Sequence, residues 1–387
     1  MKYLRDIKEL EGVKVLVRLD LNVPVQNGVV MDDFRIRKIL PTILYLQKKK
    51  ARIILMSHIE SLVHGTSMVP VAEHLKKLGI NCIFVKNYQN ALKEIEKTVI
   101  KSVIEFSHDN CVILLENLRE HEGEIKNDRS FARELASLGD IYINEAFAVS
   151  HREHASISAI TEFLPSYAGL LFEEEIKHLS TAFNPTHPFL FILGGAKFET
   201  KLPLIEKFLN IADKVFIGGA LANNFFKESG KETGKSVVSE KDFNLPRFLS
   251  NSKLLLPSDV VVVNGKASIK KIDNILADET IYDAGPETMR MLEKEINMAK
   301  YILWNGPLGA YEQGFMQPTL DLAQMIAHVT KNNDTKSILG GGDTLATINH
   351  FKTEDQFTFV STGGGAMLEF LVNGTLAGIT ALERSES

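Results

Sequence analysis

KVLVRLDL, at residues 14–21, is a short apolar run of the kind found in strands, and the amphipathic stretch IRKILPTILYLQKKK follows it at 36–50. Another apolar run, RIILMS, comes next at 52–57. The apolar residues of the middle stretch recur at the spacing of one helix face. A strand, a helix and a strand in succession are typical of a parallel sheet covered by helices on both faces.

The same alternation continues along the chain and starts again after a break. Further strands of the first half are predicted at 82–85, 111–117 and 141–147. A long helix over 168–183 precedes a second series, with strands predicted at 189–195, 214–220, 260–265, 301–307, 337–342 and 358–365. We therefore predict an α/β fold with two parallel sheets, a helical linker near residues 165–185, and a cleft between the carboxyl ends of the strands, where such sheets bind ligands.

Composition limits the classes of function. The chain has 387 residues, which is the length of roughly two domains. Its 44 Lys and Arg against 49 Asp and Glu give a net charge of −5, whereas nucleic-acid binders usually have a basic excess. No apolar run reaches the ~18 residues of a membrane span, the N-terminus lacks the apolar region of a signal peptide, and Cys82 and Cys111 provide no disulfide framework. The sequence predicts a cytoplasmic protein that binds neither nucleic acid nor membranes.

Glycines end nearly every predicted strand of the second half, at 194–195, 218–219, 306, 340–342 and 363–365. One glycine after a strand is usually a turn residue, but a whole series calls for another explanation. Glycine lets the backbone approach a ligand closely, and the free amides at a helix start can hold phosphate oxygens. We therefore expect a polyphosphate to bind across several of these strand ends.

Familiar ligand motifs are incomplete in this sequence. The segment 230–236 resembles the end of a P-loop, but Ser229 stands where that loop needs its first glycine. No G-x-G-x-x-G follows a predicted strand, so a dinucleotide site is not expected. His151 and His154 have the spacing of metal ligands, but no third ligand lies at a suitable spacing, and we predict no metal site there.

Charged residues lie beside the glycines. Lys197 follows Gly194-Gly195-Ala196 directly, and Lys201 lies one helical turn later on the same face. Both could be ordinary surface lysines, but their position at a glycine strand end favours contact with phosphates. Asp343 follows three glycines, and it could either cap a helix or hold Mg²⁺ together with nucleotide oxygens.

The strand ends of the first half carry charged and polar side chains instead of glycine. Alternation along the first strand is predicted to place Arg18, Asp20 and Asn22 on one face. The others are Arg35, His58, Arg119 and Arg152. One arginine would usually form a surface salt bridge, whereas several at successive strand ends indicate a pocket for a small, multiply charged anion. One half is thus predicted to bind a nucleotide and the other a small anion, with a phosphoryl group passing between them.

Ordered motifs along nearly the whole chain resemble those of the phosphoglycerate kinase family. They are KVLVRLDLNVP (14–24), LLENLR (114–119), AFAVSHREHAS (146–156), ILGGAK (192–197), FIGGALANNF (216–225), WNGPLGAYE (304–312), GGGDT (340–344) and STGGGA (361–366). The resemblance implies two Rossmann-like lobes, an interdomain cleft and a helical hinge. The phosphoglycerate-binding domain would be residues 1–168 with 372–387, and the nucleotide-binding domain would be residues 169–371.

The resemblance also implies an activity. It is the reversible transfer of the acyl phosphate of 1,3-bisphosphoglycerate to Mg-ADP, giving 3-phosphoglycerate and ATP. The transfer would be in line, on hinge-bending closure, in a monomer with Mg²⁺ as the metal. The alternative is a catalytically weakened relative that binds nucleotide but transfers phosphate poorly.

By motif position, the resemblance assigns roles to two sets of residues. Phosphoglycerate would be bound by Asp20, Asn22, Arg35, His58, Arg119 and Arg152. Nucleotide would be bound by Gly195, Lys197, Lys201, Gly219, Asn305, Pro307, Glu312, Gly341, Gly342, Asp343, Thr344 and Gly364, with Asp343 as the Mg²⁺ ligand. The groups expected to act on the transferring phosphoryl group are Arg35, Lys197, Gly342 and Gly365.

The chain departs from the family pattern at several positions. The family commonly reads S-H-L-G-R-P where this chain has SHIESL at 57–62, so Ser61 replaces an arginine and Glu60 lies beside it. Losing one charge-assisted hydrogen bond costs about 1.5–3 kcal/mol, and weaker phosphoglycerate binding is therefore expected. The other departures are Glu145, Ala148 and Phe198-Glu199-Thr200. The main charged groups are retained, so we expect an active enzyme whose rate could be lower.

Overall fold

Residues 1–60, 67–86, 111–348 and 354–385 are described by the computed structural model of this chain. Backbone contacts divide the chain into two units, Met1–Lys177 with Asn373–Ser387 and His178–Val372. The division falls inside the helix Leu170–Ser180, beyond the predicted limit at residue 168. The assignment of residues 1–168 with 372–387 and of 169–371 to separate binding functions stays a prediction.

The sequence folds into the alternating strands and helices that its periodicity predicts. The strands are β1 Lys14–Arg18, β2 Val25–Gln26, β3 Val29–Val30, β4 Arg52–Met56, β5 Cys82–Val85, β6 Val112–Leu115, β7 Ile141–Asn144, β8 Ser166–Ala168, β9 Phe189–Leu193, β10 Lys214–Ile217, β11 Leu254–Leu255, β12 Asp259–Asn264, β13 Lys266–Lys271, β14 Thr280–Ala284, β15 Tyr301–Asn305, β16 Lys336–Gly340 and β17 Phe359–Val360. The helices are α1 Phe34–Lys48, α2 Val69–Lys77, α3 Glu122–Ile125, α4 Arg129–Ala136, α5 Leu170–Ser180, α6 Phe198–Ile211, α7 Gly219–Glu228, α8 Pro246–Leu249, α9 Pro286–Met298, α10 Gln317–Asn332, α11 Gly342–Ile348, α12 Gly365–Asn373 and α13 Ala377–Arg384.

The first unit is built on a parallel sheet with the strand order β5-β6-β4-β1-β7-β8. Its central strands are almost wholly buried, which is the reason that they read as continuous apolar runs in the sequence. Helix α1 turns Ile36, Ile39 and Ile43 into the same core as Val15 and Val17 of β1. The helical spacing of the apolar residues thus produces the packing of α1 on the sheet.

The second unit contains another parallel sheet, with the order β11-β10-β9-β15-β16-β17. Strands β9 and β15 lie at its centre and are completely buried. Because these strands run parallel, their carboxyl ends and the loops that follow them lie along one edge of the sheet. The predicted α/β fold of two parallel sheets flanked by helices is confirmed.

The strand predicted at 260–265 does not belong to the parallel sheet, and this part of the prediction is wrong. β12 is instead the central strand of an antiparallel sheet with the order β13-β12-β14. Only Gly265, with a φ of 70°, separates Asn264 at the end of β12 from Lys266 at the start of β13. Asn-Gly between two strands is a strong hairpin signal. A run of valines indicates burial, but it does not tell which strand is the neighbour.

The first strand also ends earlier than its sequence alternation suggests. β1 stops at Arg18, so Asp20 and Asn22 lie in the loop beyond the strand and not on its face. The hydroxyl of Ser57 accepts a hydrogen bond from the Leu21 amide at 2.9 Å, in the place of a backbone partner. Asp20 Oδ1 accepts the Asn22 amide at 3.2 Å, which turns the chain.

No single helix within the described ranges has the length and apolarity to cross a membrane. Helices α12 and α13 reach that length and apolarity only when they are taken together, across a bend of 66°.

Candidate active site

Three of the predicted anion-binding residues of the first unit lie together just beyond β1. Arg35, in the first turn of α1, donates from Nη1 to Asp20 Oδ2 at 2.6 Å and to the Asn22 carbonyl at 3.3 Å. The side chain of Arg35 is 31% exposed, and that of Asp20 is 7% exposed. The pairing therefore fixes the guanidinium and leaves part of it open to an incoming anion.

Arg119 and Arg152 both meet the carboxylate of Glu60. Glu60 Oε1 forms an ion pair with Arg119 Nη1 and lies 3.5 Å from Arg152 Nη1. The backbone amide of Glu60 donates to Asn22 Oδ1 at 2.9 Å. Glu60 thus connects the two arginines to the residues beyond β1. We call the side chains of Asp20, Asn22, Arg35, His58, Arg119 and Arg152 the arginine cluster, and Glu60 lies against two of its arginines.

Arg18, the last residue of β1, supports the arginine cluster from the interior. Its side chain is fully buried, and its Nε donates to Ser156 Oγ at 2.7 Å. Its Nη2 lies 3.2 Å from His58 Nδ1 and 3.8 Å from Glu124 Oε1. Arg18 is therefore compensated inside the protein and is not available to a ligand.

Burial and neighbouring arginines lower the pKa of three side chains in or beside the cluster. Burial and the nearby Arg18 lower the pKa of His58 far below its usual value, so the ring is neutral. Burial, and then Arg119, lower the pKa of His154 to about 4. Burial and the neighbouring Arg152 and Arg18 lower the pKa of Arg119 to about 10. Burial is the larger cause in each case and a neighbouring arginine is the second, so positively charged groups lie close together here.

Arg119 also retains hydrogen-bonding capacity. Its side chain is only 11% exposed, and its Nε and Nη2 are buried without a partner among the described residues. Buried polar groups in proteins normally have a partner. These N–H groups can therefore serve the oxygens of a bound anion.

In the second unit, a cavity of about 510 Å³ is lined by the loops that follow β9 and β15 and by residues of α7 and β14. Its walls include the predicted residues Gly195, Gly219, Pro307, Glu312 and Asp343. Its apolar walls include Phe226, Val260, Ile281 and Leu308. This size and this combination of apolar walls with a few polar groups suit a small ligand with an aromatic part.

The strand-end glycines fall into two groups. Gly194 and Gly306 pack backbone against backbone, since a Cβ on Gly306 would collide with the Gly194 carbonyl, and the Gly195 amide donates to the Pro307 carbonyl at 2.8 Å. Gly342 is exposed, and a Cβ there would meet no atom of the described residues within 4 Å. Gly194 and Gly306 are therefore required for packing of the loops after β9 and β15. Gly342, and also Gly364, where a Cβ would likewise meet no described atom within 4 Å, leave room for a ligand.

The remaining predicted residues lie at the ends of β15, β16 and β17. Asn305 is buried at the end of β15, and the buried Thr344 accepts the Gly306 amide on Oγ1 at 2.8 Å. Gly341 and Gly364 have positive φ angles in the turns before α11 and α12. The last predicted residues, Gly342 and Gly365, begin these two helices.

The two lysines at the start of α6 differ in their environment. Lys197 directly precedes the helix and is exposed. Lys201 is buried, and its Nζ donates to the Gly194 carbonyl at 2.5 Å. Burial lowers the pKa of Lys201 to about 8. The nearby carboxylate of Asp343 acts in the opposite direction, because it stabilises the charged ammonium. Lys197 is therefore the more accessible ammonium, and the role of both lysines in nucleotide binding stays a prediction.

Two titratable groups of the cavity are absent from the sequence prediction. Burial, with the charge of Asp321, raises the pKa of Asp283 to about 7. Tyr311 Oη lies 3.4 Å from Asp343 Oδ1, and burial followed by that charge raises the pKa of Tyr311 to about 12. No local signal in the sequence indicates Asp283, which lies within β14 of the antiparallel sheet.

Comparisons with known proteins cover nearly the whole chain. The family model described as phosphoglycerate kinase matches residues 4–374. The chain belongs to the phosphoglycerate kinase family. A phosphoglycerate kinase of Dictyoglomus turgidum is 41% identical over 98% of this chain and 98% of its own. A phosphoglycerate kinase of Fervidobacterium nodosum is 38% identical over 98% of this chain and 97% of its own.

Solved structures of the phosphoglycerate kinase family have the same fold. The enzyme from Coxiella burnetii has a TM-score of 0.80 at 34% identity, covering 99% of this chain and 98% of its own. The enzyme from Pyrococcus horikoshii has a TM-score of 0.85 at 28% identity, covering 100% and 99%. The resemblance stated from the motifs is confirmed, and the chain is a glycolytic kinase of this family. The comparisons give no support to the weakened alternative.

The departures from the phosphoglycerate kinase pattern have different structural settings. Ser61 lies outside the described residues, so its effect on substrate binding stays a prediction. Phe198 is buried and packs against Phe225, with ring centroids 5.8 Å apart. The buried side chain of Glu145 accepts a hydrogen bond from the Leu171 amide at the start of α5. Nothing in the structure explains Ala148.

Proposed function

We propose that this chain reversibly transfers the acyl phosphate of 1,3-bisphosphoglycerate to Mg-ADP, with 3-phosphoglycerate and ATP as products. The observation that carries the proposal is the arginine cluster at the strand ends of the first unit, since it suits a small multiply charged anion. The cavity and open glycine amides of the second unit support the nucleotide half. Membership of the family also favours a cytoplasmic monomer that binds neither nucleic acid nor membranes.

The arginine cluster would bind phosphoglycerate. The proposed residues are Asp20, Asn22, Arg35, His58, Arg119 and Arg152. Guanidinium groups match the geometry of phosphate and carboxylate oxygens. Arg18 donates toward His58 Nδ1, which places the proton of the neutral ring on Nε2. His58 can therefore donate to a substrate oxygen without adding charge to the site.

The second unit would bind the nucleotide. Adenosine would lie against Gly195, Gly219, Asn305, Pro307 and Glu312, and the phosphates against Lys197, Lys201, Gly341, Gly342, Thr344 and Gly364. Asp343 is an exposed carboxylate in the wall of the cavity, and one carboxylate plus phosphate oxygens is the donor set that Mg²⁺ commonly takes with nucleotides. Mg²⁺ bound there with the nucleotide would offset the negative charge of the phosphate oxygens.

The chemistry needs no general base. The acceptor is either an ADP oxygen or a carboxylate, and both are already deprotonated at neutral pH. The barrier lies in bringing two anions in line and in stabilising the charge on the transferred group. We propose that Arg35, Lys197 and the backbone amides of Gly342 and Gly365 provide this stabilisation.

The test of the proposed function is a coupled assay with Mg-ATP and 3-phosphoglycerate. We expect saturable turnover that depends on both substrates. Turnover with other small acids, without turnover of 3-phosphoglycerate, would assign the chain a different acceptor.

We further propose that transfer requires a hinge-bending closure, because the proposed binding groups are divided between the two units. Closure would exclude water, which would otherwise take the phosphoryl group. Small-angle scattering should show a smaller radius of gyration when both substrates are bound, and a smaller change with either one alone. The same radius with and without both substrates would contradict closure.

Asp343→Asn should raise the Mg²⁺ concentration needed for half-maximal activity about tenfold or more, since a neutral amide is a poorer ligand of Mg²⁺ than a carboxylate. The measurement is a titration of Mg²⁺ at fixed total ATP in the coupled assay. Glu293→Gln, which removes an exposed carboxylate on α9 of the same unit, is the control. Equal Mg²⁺ requirements for the two variants would exclude Asp343 as the ligand.

A further inference from the structure

We infer that Glu60 is an internal competitor of the anionic substrate, and that its carboxylate occupies Arg119 and Arg152 until phosphoglycerate displaces it. The inference rests on the proposed function of the arginine cluster. It makes Glu60 a residue that sets substrate affinity without taking part in the transfer.

The distribution of charge in the cluster points to this role. Asp20 and Glu124, the other carboxylates nearby, each lie against a different arginine. In the part of the chain that the structure describes, Glu60 is the only carboxylate within 4 Å of Arg119 or Arg152. The Glu60 carboxylate therefore takes the position at which these two guanidiniums would hold an oxyanion.

The exposure of the partners shows which of them can move. The side chain of Glu60 is 55% exposed, whereas that of Arg119 is 11% exposed. The carboxylate can rotate into water, but the arginine stays buried. The Glu60 amide is held by Asn22 Oδ1 at 2.9 Å, so displacement needs only a side-chain rotation.

The ligand has the advantage in this competition. Ion pairs with a largely exposed carboxylate are weak, and a phosphate can form two-pronged hydrogen bonds with a guanidinium. A phosphate could also satisfy Arg119 Nε and Nη2, which lack partners among the described residues. Phosphoglycerate would thus displace Glu60, but its affinity is reduced by the competition. Where the family has glycine at this position, no such competitor exists.

Glu60→Gln and Glu60→Gly test the inference in the full chain. We expect the dissociation constants of 3-phosphoglycerate and of inorganic phosphate, measured by calorimetry, to fall about three- to tenfold. The KM for 3-phosphoglycerate should fall with them, while kcat and the KM for Mg-ATP stay within about twofold. Glu73→Gln is the matched control, because Glu73 is an exposed acid of the same unit that pairs with Lys76 at 2.8 Å.

The possible outcomes are distinct. Unchanged or weaker anion binding in both Glu60 variants would overturn the inference. If Glu60 only held Arg119 in place, its loss would weaken binding and lower the melting temperature together. If the unmodified chain does not turn over 3-phosphoglycerate, the proposed function fails. Tighter binding of inorganic phosphate by Glu60→Gln would even then support Glu60 as a competitor at an anion site.

Discussion

Replacing Lys197 by alanine should lower kcat about 10²–10³-fold, with a smaller effect on the KM for Mg-ATP. Lys197 is exposed at the start of α6, and it directly follows the Gly195 loop, which lines the cavity. Negative charge on the phosphoryl oxygens must be stabilised in the transition state, and removing one preorganised donor typically costs about this factor. Steady-state kinetics in the coupled assay separate the effect on kcat from the effect on KM.

Lys201 provides the contrast that tests this assignment. Its buried Nζ donates to the Gly194 carbonyl, so Lys201→Met should lower the melting temperature as well as the activity. Lys197→Ala should leave the melting temperature unchanged within about 1 °C. Lys227→Ala, at an exposed lysine of the same unit, is the control for activity. A kcat for Lys197→Ala within about threefold of the unmodified chain would remove Lys197 from the proposed machinery.

The sequence predicts the two parallel sheets because strands buried on both faces read as unbroken apolar runs. β9 and β15, which are fully buried at the centre of their sheet, are examples. β12 carries the same signal but pairs in antiparallel fashion with β13 and β14. Apolar composition reports burial, and pairing depends on the turn chemistry at Gly265 as well.

The candidate site is predicted less completely, because contacts between distant residues depend on strand register. Leu55 of β4 pairs with Leu114 of β6, so the loops that follow these strands emerge side by side. This register brings Glu60 to Arg119. The sequence singles out both residues, but it does not show that one carboxylate meets two arginines. The burial of Lys201 is likewise a result of packing that its helical spacing does not reveal.

Glu145 should make the stability of the protein depend on pH. Its carboxylate is buried at the start of α5, where it accepts the amides of Leu171 at 3.0 Å and Phe172 at 3.2 Å, and it also accepts the hydroxyl of Thr42. These hydrogen bonds favour the charged form. Burial is the larger effect, and it raises the pKa of Glu145 to about 7.

The sign of the pH dependence follows from the difference in protonation of Glu145 between the folded and the unfolded chain. An unfolded glutamate titrates near 4.5, so between pH 4.5 and 7 the folded chain keeps a proton that the unfolded chain has lost. The free energy of unfolding therefore falls as pH rises through this window, and the loss is complete above the folded pKa. A shift of this size corresponds to about 3 kcal/mol. Glu145→Gln resembles the protonated side chain and should remove this contribution.

Calorimetric melting of both chains between about pH 5 and pH 8 measures the effect. Over that range the melting temperature of the unmodified chain should fall by about 5–10 °C more than that of Glu145→Gln. Glu134→Gln changes an exposed acid on α4 of the same unit. Its melting temperature should depend on pH in the same way as that of the unmodified chain. Parallel profiles for the unmodified chain and Glu145→Gln would mean that Glu145 is already ionised at the lowest pH. The hydrogen bonds from α5 and Thr42, and not burial, would then control its charge.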